Sequence, residues 1–207
     1  MISISKGFTN EKGKSPKNAW KWLQENYSAI ASQLKPFEEA CKKRQDQGDY
    51  WWELRACEYY NEFEREKIML PDIALQMQAT YDNKNFFCIN TAYIIPVDDK
   101  FLLGILNSQL VQFFYSKISS SIQGGYFRFI RQYLETIPIA KNEKLKTEIE
   151  KFVNQLLQLN QEKAETKLET KVNQLQGKIK YCEDRINEIV YQLYELTSDE
   201  IKIVEGK

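Results

Sequence analysis

Between Leu168 and Leu196 the chain places Leu168, Val172, Leu175, Ile179, Cys182, Ile186, Ile189, Leu193 and Leu196 at alternating steps of four and three residues. An α-helix turns once in about 3.6 residues, so this spacing lines all of these side chains along one stripe. A stripe of about four heptads has to be covered, which commits the end of the chain to a long helix with a packing partner. Upstream, Leu145, Ile149, Phe152, Leu156 and Leu159 repeat the alternation. The step from Leu159 to Leu168 is nine residues, through Gln161-Glu162-Lys163, so the two stripes are out of register. Either two helices fold back on each other, or one helix is interrupted; a second copy of the seam would cover it equally well. Gly177 costs about 1 kcal/mol relative to alanine within a helix, which points to a kink or a close helix approach.

The rest of the chain reads differently. All five prolines precede residue 139 and all four tryptophans precede residue 53. Met1 to Lys17 is polar and reads as a flexible arm. Ala19 to Arg44 carries Trp22, Tyr27, Ile30, Leu34 and Phe37 at roughly helical spacing. Gln47-Gly48-Asp49 is a turn, followed by the aromatic block Tyr50-Trp51-Trp52-Glu53-Leu54-Arg55; there Glu53 and Arg55 are expected to pair locally, and at least one tryptophan to be core. Lys67 to Leu70, Ile73 to Tyr81 and Phe86 to Ile95 read as extended, with a turn at Asp82-Asn83-Lys84-Asn85. Asp98 or Asp99 caps a helix whose apolar face, Leu103, Leu106, Leu110, Phe113 and Phe114, runs to about Ile118. Ser119-Ser120-Ser121 and Gly124-Gly125 frame a loop before a short strand, Tyr126 to Ile130. The expected fold is α+β: an arm over residues 1–18, a small mixed domain over 19–140, and a long antiparallel coiled-coil-like helical segment over 141–207.

Composition removes several classes of function. Histidine is absent, which takes away the usual general base, the common nucleophile pairs and most zinc sites. Cys41, Cys57, Cys88 and Cys182 form no CxxC pair and read as free thiols, the usage of a bacterial cytoplasm. Met1 to Asn10 has no apolar core of a signal peptide, and no run of about 18 apolar residues would span a membrane. The 29 cations equal the 29 anions, but their distribution is uneven. From Lys100 to Leu134 there is no Asp or Glu, and Lys100, Lys117, Arg128 and Arg131 stand unopposed; an apolar centre of the fold would also be poor in acids.

Catalytic motifs are missing as well. No Pro-Pro-aromatic turn is present to hold a flipped adenine, no Gly-rich strand–turn–helix to hold a methyl donor, and no phosphate loop. Pro71-Asp72 with Asp98-Asp99-Lys100 formally fits a metal-dependent nuclease pattern. Pro96 and the capping position of Asp98 argue against the strand geometry that such a site needs.

Three stretches together resemble the C-terminal specificity domain of TaqI-like and Eco57I-like adenine methyltransferases. They are Gln47 to Arg55, with GDYWWELR; FLLGILNSQLVQFFYSKIS, Phe101 to Ser119, followed by GGYFRFIRQYLETIPI, Gly124 to Ile139; and INEIVYQLYELTSDEIKIVE, Ile186 to Glu205. The resemblance implies a chain that grips double-stranded DNA and reads a target sequence, without catalytic residues of its own. Methylation of adenine, and the S-adenosylmethionine it consumes, would then belong to a catalytic domain or partner subunit. Phosphate contacts position such a reader and base contacts specify. The candidates for both are Asn83, Lys84 and Asn85 in the turn, and Lys117, Gln123, Arg128 and Arg131 around the glycine loop. Gln123 or Asn85 suits adenine and Arg128 suits guanine; Phe127 and Phe129 beside Arg128 leave an internal role open. The alternative is a coiled-coil interaction module, a homodimer through the helical segment, that does not touch DNA.

Overall fold

A computed structural model describes residues 2–122 and 124–207. The chain forms two compact units that divide after Tyr60. The fold is α+β, with two small antiparallel sheets and two long helices near its C-terminal end.

The first unit holds α1 (Phe8–Gly13), α2 (Ala19–Asn26), α3 (Ser28–Leu34) and α4 (Glu38–Lys42). The single helix expected over 19–44 is broken at Tyr27, whose backbone leaves the helical region, and at the 3-10 turn Lys35–Phe37 that Pro36 imposes. Nor do the first residues form a loose arm: Ile4 and Thr9 are buried, and α1 is tied down by Glu53. That carboxylate is fully buried and accepts the amides of Gly7, Thr9 and Asp49 at 3.1, 2.9 and 2.9 Å, rather than pairing with Arg55. Trp52 donates its indole N–H to Thr9 Oγ1 at 2.9 Å and stacks on Tyr50. Trp20 closes on Trp51 and Trp52 with ring centroids 4.9 and 5.2 Å apart. The aromatic block is therefore the core of this unit.

The second unit begins with β1 (Lys67–Pro71), β2 (Ile73–Ala74), β3 (Thr80–Asp82) and β4 (Ala92–Ile95). Strand β1 lies between β3 and β4, with Ile68 opposite both Tyr81 and Ile95. Only the end of the expected strand 86–95 pairs, because residues 83–91 form an exposed loop and a turn. Next come α5 (Lys100–Leu106) and α6 (Gln109–Ile118). Asp99 caps α5 by accepting the Leu102 amide at 2.8 Å. The apolar run to Ile118 is two helices, because Ser108 starts a new one, its hydroxyl accepting the Val111 amide and donating to the Ile105 carbonyl. Strands β5 (Ser121–Ile122) and β6 (Tyr126–Arg128) pair with each other and with β2 in the order β2-β6-β5, and α7 (Arg131–Leu134) follows.

Helices α8 (Glu143–Glu165) and α9 (Glu169–Leu193) account for the 4-3 stripes, and α10 (Ser198–Glu205) closes the chain behind a Thr197–Glu200 capping box. Lys163 meets Gln176, Gln155 meets Cys182, and Phe152 meets Tyr181 and Arg185, so the partners run in opposite directions and the pair is antiparallel. Leu175, Ile179, Cys182, Ile186, Ile189 and Leu193 are buried as the stripe requires, while Leu168 at its start is exposed. Near Val190 and Tyr191 the buried face widens, where α9 also reaches α6. Helix α5 is the centre of this core, with Leu103, Gly104, Ile105 and Leu106 all buried between the sheet and α8. The close approach sits here rather than at Gly177. A Cβ on residue 104 would lie 2.6 Å from Ile149 Cγ2 and 3.0 Å from Val153 Cγ2, whereas residue 177 is exposed and has nothing within 4 Å. The helical segment 141–207 thus belongs to the same compact unit as residues 61–140.

Candidate nucleic-acid interface

The second sheet has one buried and one open face. Side chains alternate along a strand, and partners in register share a face. Phe127 turns inward against Tyr115, while Tyr126 and Arg128 are exposed. Ile73 lies opposite Arg128, and Ile122 opposite Tyr126, so the open face carries Ile73, Arg128, Tyr126 and Ile122. Gly124 and Gly125 have φ of 86° and 78°, a backbone that glycine adopts without strain, which lets the hairpin close.

Arg128 is held at both ends. Its carbonyl accepts the buried Tyr115 hydroxyl at 2.7 Å, and the amide of Phe129 donates to the Asp72 carbonyl at 2.8 Å. Its Nε lies 3.4 Å from Asp72 Oδ1, an oxygen that also accepts the Tyr93 hydroxyl at 3.2 Å. Burial raises the Tyr93 pKa, and the Asp72 charge beside it adds to the rise. The Arg128 side chain is nevertheless 57% exposed, against 13% for Asp72. Lys117 and Arg131 flank the hairpin. Lys117 lies in the last turn of α6 with its ammonium 4.9 Å from the centre of the Phe113 ring. Arg131 opens α7, is 85% exposed, and bonds Glu135 one turn on at 2.6 Å. The exposed Arg131–Glu135 pair contributes about 0–1 kcal/mol, so it does not hold Arg131 back from a ligand.

Asn83, Lys84 and Asn85 are exposed on the turn that ends β3. The Asp82 carboxylate accepts the amides of Lys84 and Phe86, both at 2.8 Å, and is itself backed by Lys67 at 2.5 Å. Lys67 is fully buried and also donates to the carbonyls of Phe63 and Arg65. Burial alone would raise the Asp82 pKa, but Lys67 and the two amides outweigh it and hold the carboxyl below its ordinary value. Phe86 and Ile89 stand exposed beyond this turn.

Arg128 therefore lies on the open face of the second sheet, Lys117 in the helix before the hairpin and Arg131 in the helix after it, while Asn83–Asn85 follow β3 of the first sheet; Gln123 lies outside the described residues. The link between the sheets is Asp72, whose amide donates to the Thr91 carbonyl beside β4 and whose carbonyl serves Phe129 beside β6. In the sequence, Asp72 stands out only as part of a nuclease-like pattern. In the structure the members of that pattern have separate partners. Asp98 accepts the Tyr81 hydroxyl at 2.6 Å and the Lys100 ammonium at 2.7 Å, and Asp99 is the cap of α5. Burial and the Asp98 bond push the Tyr81 phenol up to about 12. Among the described residues no three His, Cys, Asp or Glu side chains gather as metal ligands would.

One cavity of about 580 Å³ lies in the second unit between the 76–81 strap, the α5–α6 junction and the α8–α9 pair. Its amides largely serve the chain. Asn107 bonds both backbone groups of Ala79, Gln112 accepts the Met77 amide, and Asn187 accepts the Gln109 amide. The Asn107 and Gln112 bonds pin the strap onto the α5–α6 region, and the Asn187 bond ties α9 to the start of α6.

Arg128 on the second sheet, Lys117 in α6 and Arg131 in α7 are thus exposed cations near one another in the chain. Residues 16–139 match the family model of the TaqI-like C-terminal specificity domain, and the chain belongs to that family. Its role is accordingly DNA target recognition in restriction–modification. The match takes in the first two of the three resembling stretches; the third, Ile186 to Glu205, lies outside it. No curated protein matches the chain. No helix among the described residues is long and apolar enough to cross a membrane.

Proposed function

We propose that this chain reads a sequence in double-stranded DNA for an adenine-specific methyltransferase or restriction–modification enzyme in the bacterial cytoplasm. Methyl transfer and S-adenosylmethionine belong to a catalytic domain or partner subunit. The observation that supports the reading is the acid-free span 100–134 of a specificity-domain chain, in which Arg128 on the β5–β6 hairpin, Lys117 at the end of α6 and Arg131 at the start of α7 are all exposed. Lys117 and Arg131 are assigned to phosphates, and Arg128, Gln123 and the Asn83–Asn85 turn to base edges. The alternative, a homodimer through the 4-3 seam without DNA contact, is less well supported, because Leu175, Ile179 and Ile186 are already buried within the chain. Four free cysteines agree with a reducing compartment.

The test is fluorescence anisotropy with mixed-sequence duplexes over a salt series. Affinity should fall steeply with salt, and Lys117→Ala and Arg131→Ala should each flatten the log–log slope by about 0.9. Binding that is absent at every salt concentration, with the catalytic partner also present, overturns the proposal.

A further inference from the structure

We infer that Asp72, Tyr93 and Arg128 form one reading unit for a guanine edge in the major groove, with Asp72 the positioning residue. The inference rests on the DNA-reading proposal and adds the base class and the mechanism. A guanidinium is a planar fork of donors, and guanine offers O6 and N7 as a matching pair of acceptors. Such a pairing discriminates only if the fork is presented in a fixed plane with its free edge outward.

The geometry supplies an anchor for the fork and leaves its outer edge free. The backbone at Arg128 is fixed by its pairing with Ile73, by the Tyr115 hydroxyl and by the Phe129–Asp72 bond. The side chain is then oriented at Nε by Asp72 Oδ1, and that oxygen is held from the other sheet by Tyr93. The carboxylate is largely covered and the guanidinium largely open, and among the described residues Nη1 and Nη2 bond no acceptor. A carboxylate placed so contributes little to stability, because the cation of the pair is solvated. It also offsets the charge of Arg128, which weakens indiscriminate attraction to phosphates. An arginine meant only to grip the backbone gains nothing from such a partner. Ile73, Tyr126 and Ile122 on the same open face supply apolar surface beside the fork, suited to the methyl and ring edges of neighbouring bases.

The test starts from sequences that the chain enriches out of a random duplex pool, alone or with its catalytic partner. Each guanine of the enriched site is replaced by 7-deazaguanine, which keeps pairing but removes N7. At one position the parent should lose about tenfold or more in affinity. Arg128→Ala should show that loss already and no further loss with the analogue, and Arg128→Lys should not restore discrimination. Asp72→Asn should lose discrimination at that position while binding mixed-sequence duplexes more tightly, with a steeper salt slope. Tyr93→Phe should follow it more weakly. A purely structural Asp72 would lower all affinities together and leave the pattern intact. If Arg128→Ala weakens every duplex equally, or the enriched site has no guanine sensitive to the analogue, the assignment falls while the DNA reading stands. Absence of salt-dependent binding to any duplex overturns both.

Discussion

Gly104 and Gly177 both lie inside helices of the second unit, and alanine at the two positions should act with opposite sign. Replacing a helical glycine by alanine removes backbone freedom from the unfolded chain and stabilises by about 1 kcal/mol where the new methyl meets nothing. Gly177 is such a position, exposed and with no atom within 4 Å of the added carbon. At Gly104 the added carbon would lie 2.6 Å from Ile149 Cγ2, while carbons pack at about 3.5–4.0 Å. Ile149 is fully buried and β-branched on a helix, so it has few rotamers into which it can retreat. Overpacking by one carbon costs about 1–3 kcal/mol, and an overlap of this depth belongs at the upper end. Set against the helix gain, Gly104→Ala should lose about 2 kcal/mol, and the two variants should differ by about 3 kcal/mol. Urea denaturation followed by far-UV circular dichroism reports mainly on the second unit, where α8 and α9 lie. The four tryptophans all lie in the first unit, so fluorescence serves as an internal control. Ile149→Ala should cost less in the Gly104→Ala background than alone, a coupling of at least about 0.5 kcal/mol. If Gly104→Ala is as stable as the parent or more so, α5 and α8 are not in the contact described.

Ile186→Asp places a carboxylate in the buried seam and should cost about 3 kcal/mol or more by the same dichroism assay; an unchanged urea midpoint would mean that the seam is open to water. The depressed Asp82 pKa means that its contribution is complete above its unfolded value, about 3.9, and is lost as pH falls toward the folded value. Stability of the parent should therefore drop more steeply below about pH 4 than that of the Lys67→Met/Asp82→Asn pair, and parallel pH profiles would contradict the sign. Incubated with labelled methyl donor and mixed-sequence DNA, the chain alone should transfer no methyl group, and transfer above background would show a catalytic site that the sequence motifs miss. Gln123→Ala should weaken binding to one enriched sequence by about 1–3 kcal/mol and leave mixed duplexes unaffected; an equal loss on all sequences would remove it from base reading.

What could be read from sequence was what local periodicity encodes. The 4-3 stripes marked α8 and α9 as helices that need covering, though not which of several partners covers them, and Asp98-Asp99 announced the start of α5, which Asp99 caps. The failures have one physical cause, a partner remote in the chain. Nothing near Met1 indicates that Glu53, more than forty residues on, will bond the amides that start α1. The break between α5 and α6 depends on Ser108 bonding within the turn and on Asn107 reaching back to Ala79. The turn at Gly124-Gly125 followed from turn chemistry, although Ser121 and Ile122, expected in the loop, pair with β6. Asp72 as the holder of Arg128 did not, because it rests on β2 pairing with β6, and two-residue strands leave no periodic trace.

The α8–α9 hairpin also determines where the chain tolerates changes of length. Its connector, residues 166–168, is solvent-facing at Lys167 and Leu168, so added residues there leave every helical face where it was. One residue inserted within α9 turns everything after it by about 100°, carrying Ile186, Ile189 and Val190 away from the core. Seven residues added to each helix on the connector side extend the hairpin by about 10 Å and return the stripe to its place. Homologues of different length are therefore expected to differ at this tip or by whole heptads, which leaves the two sheets undisturbed.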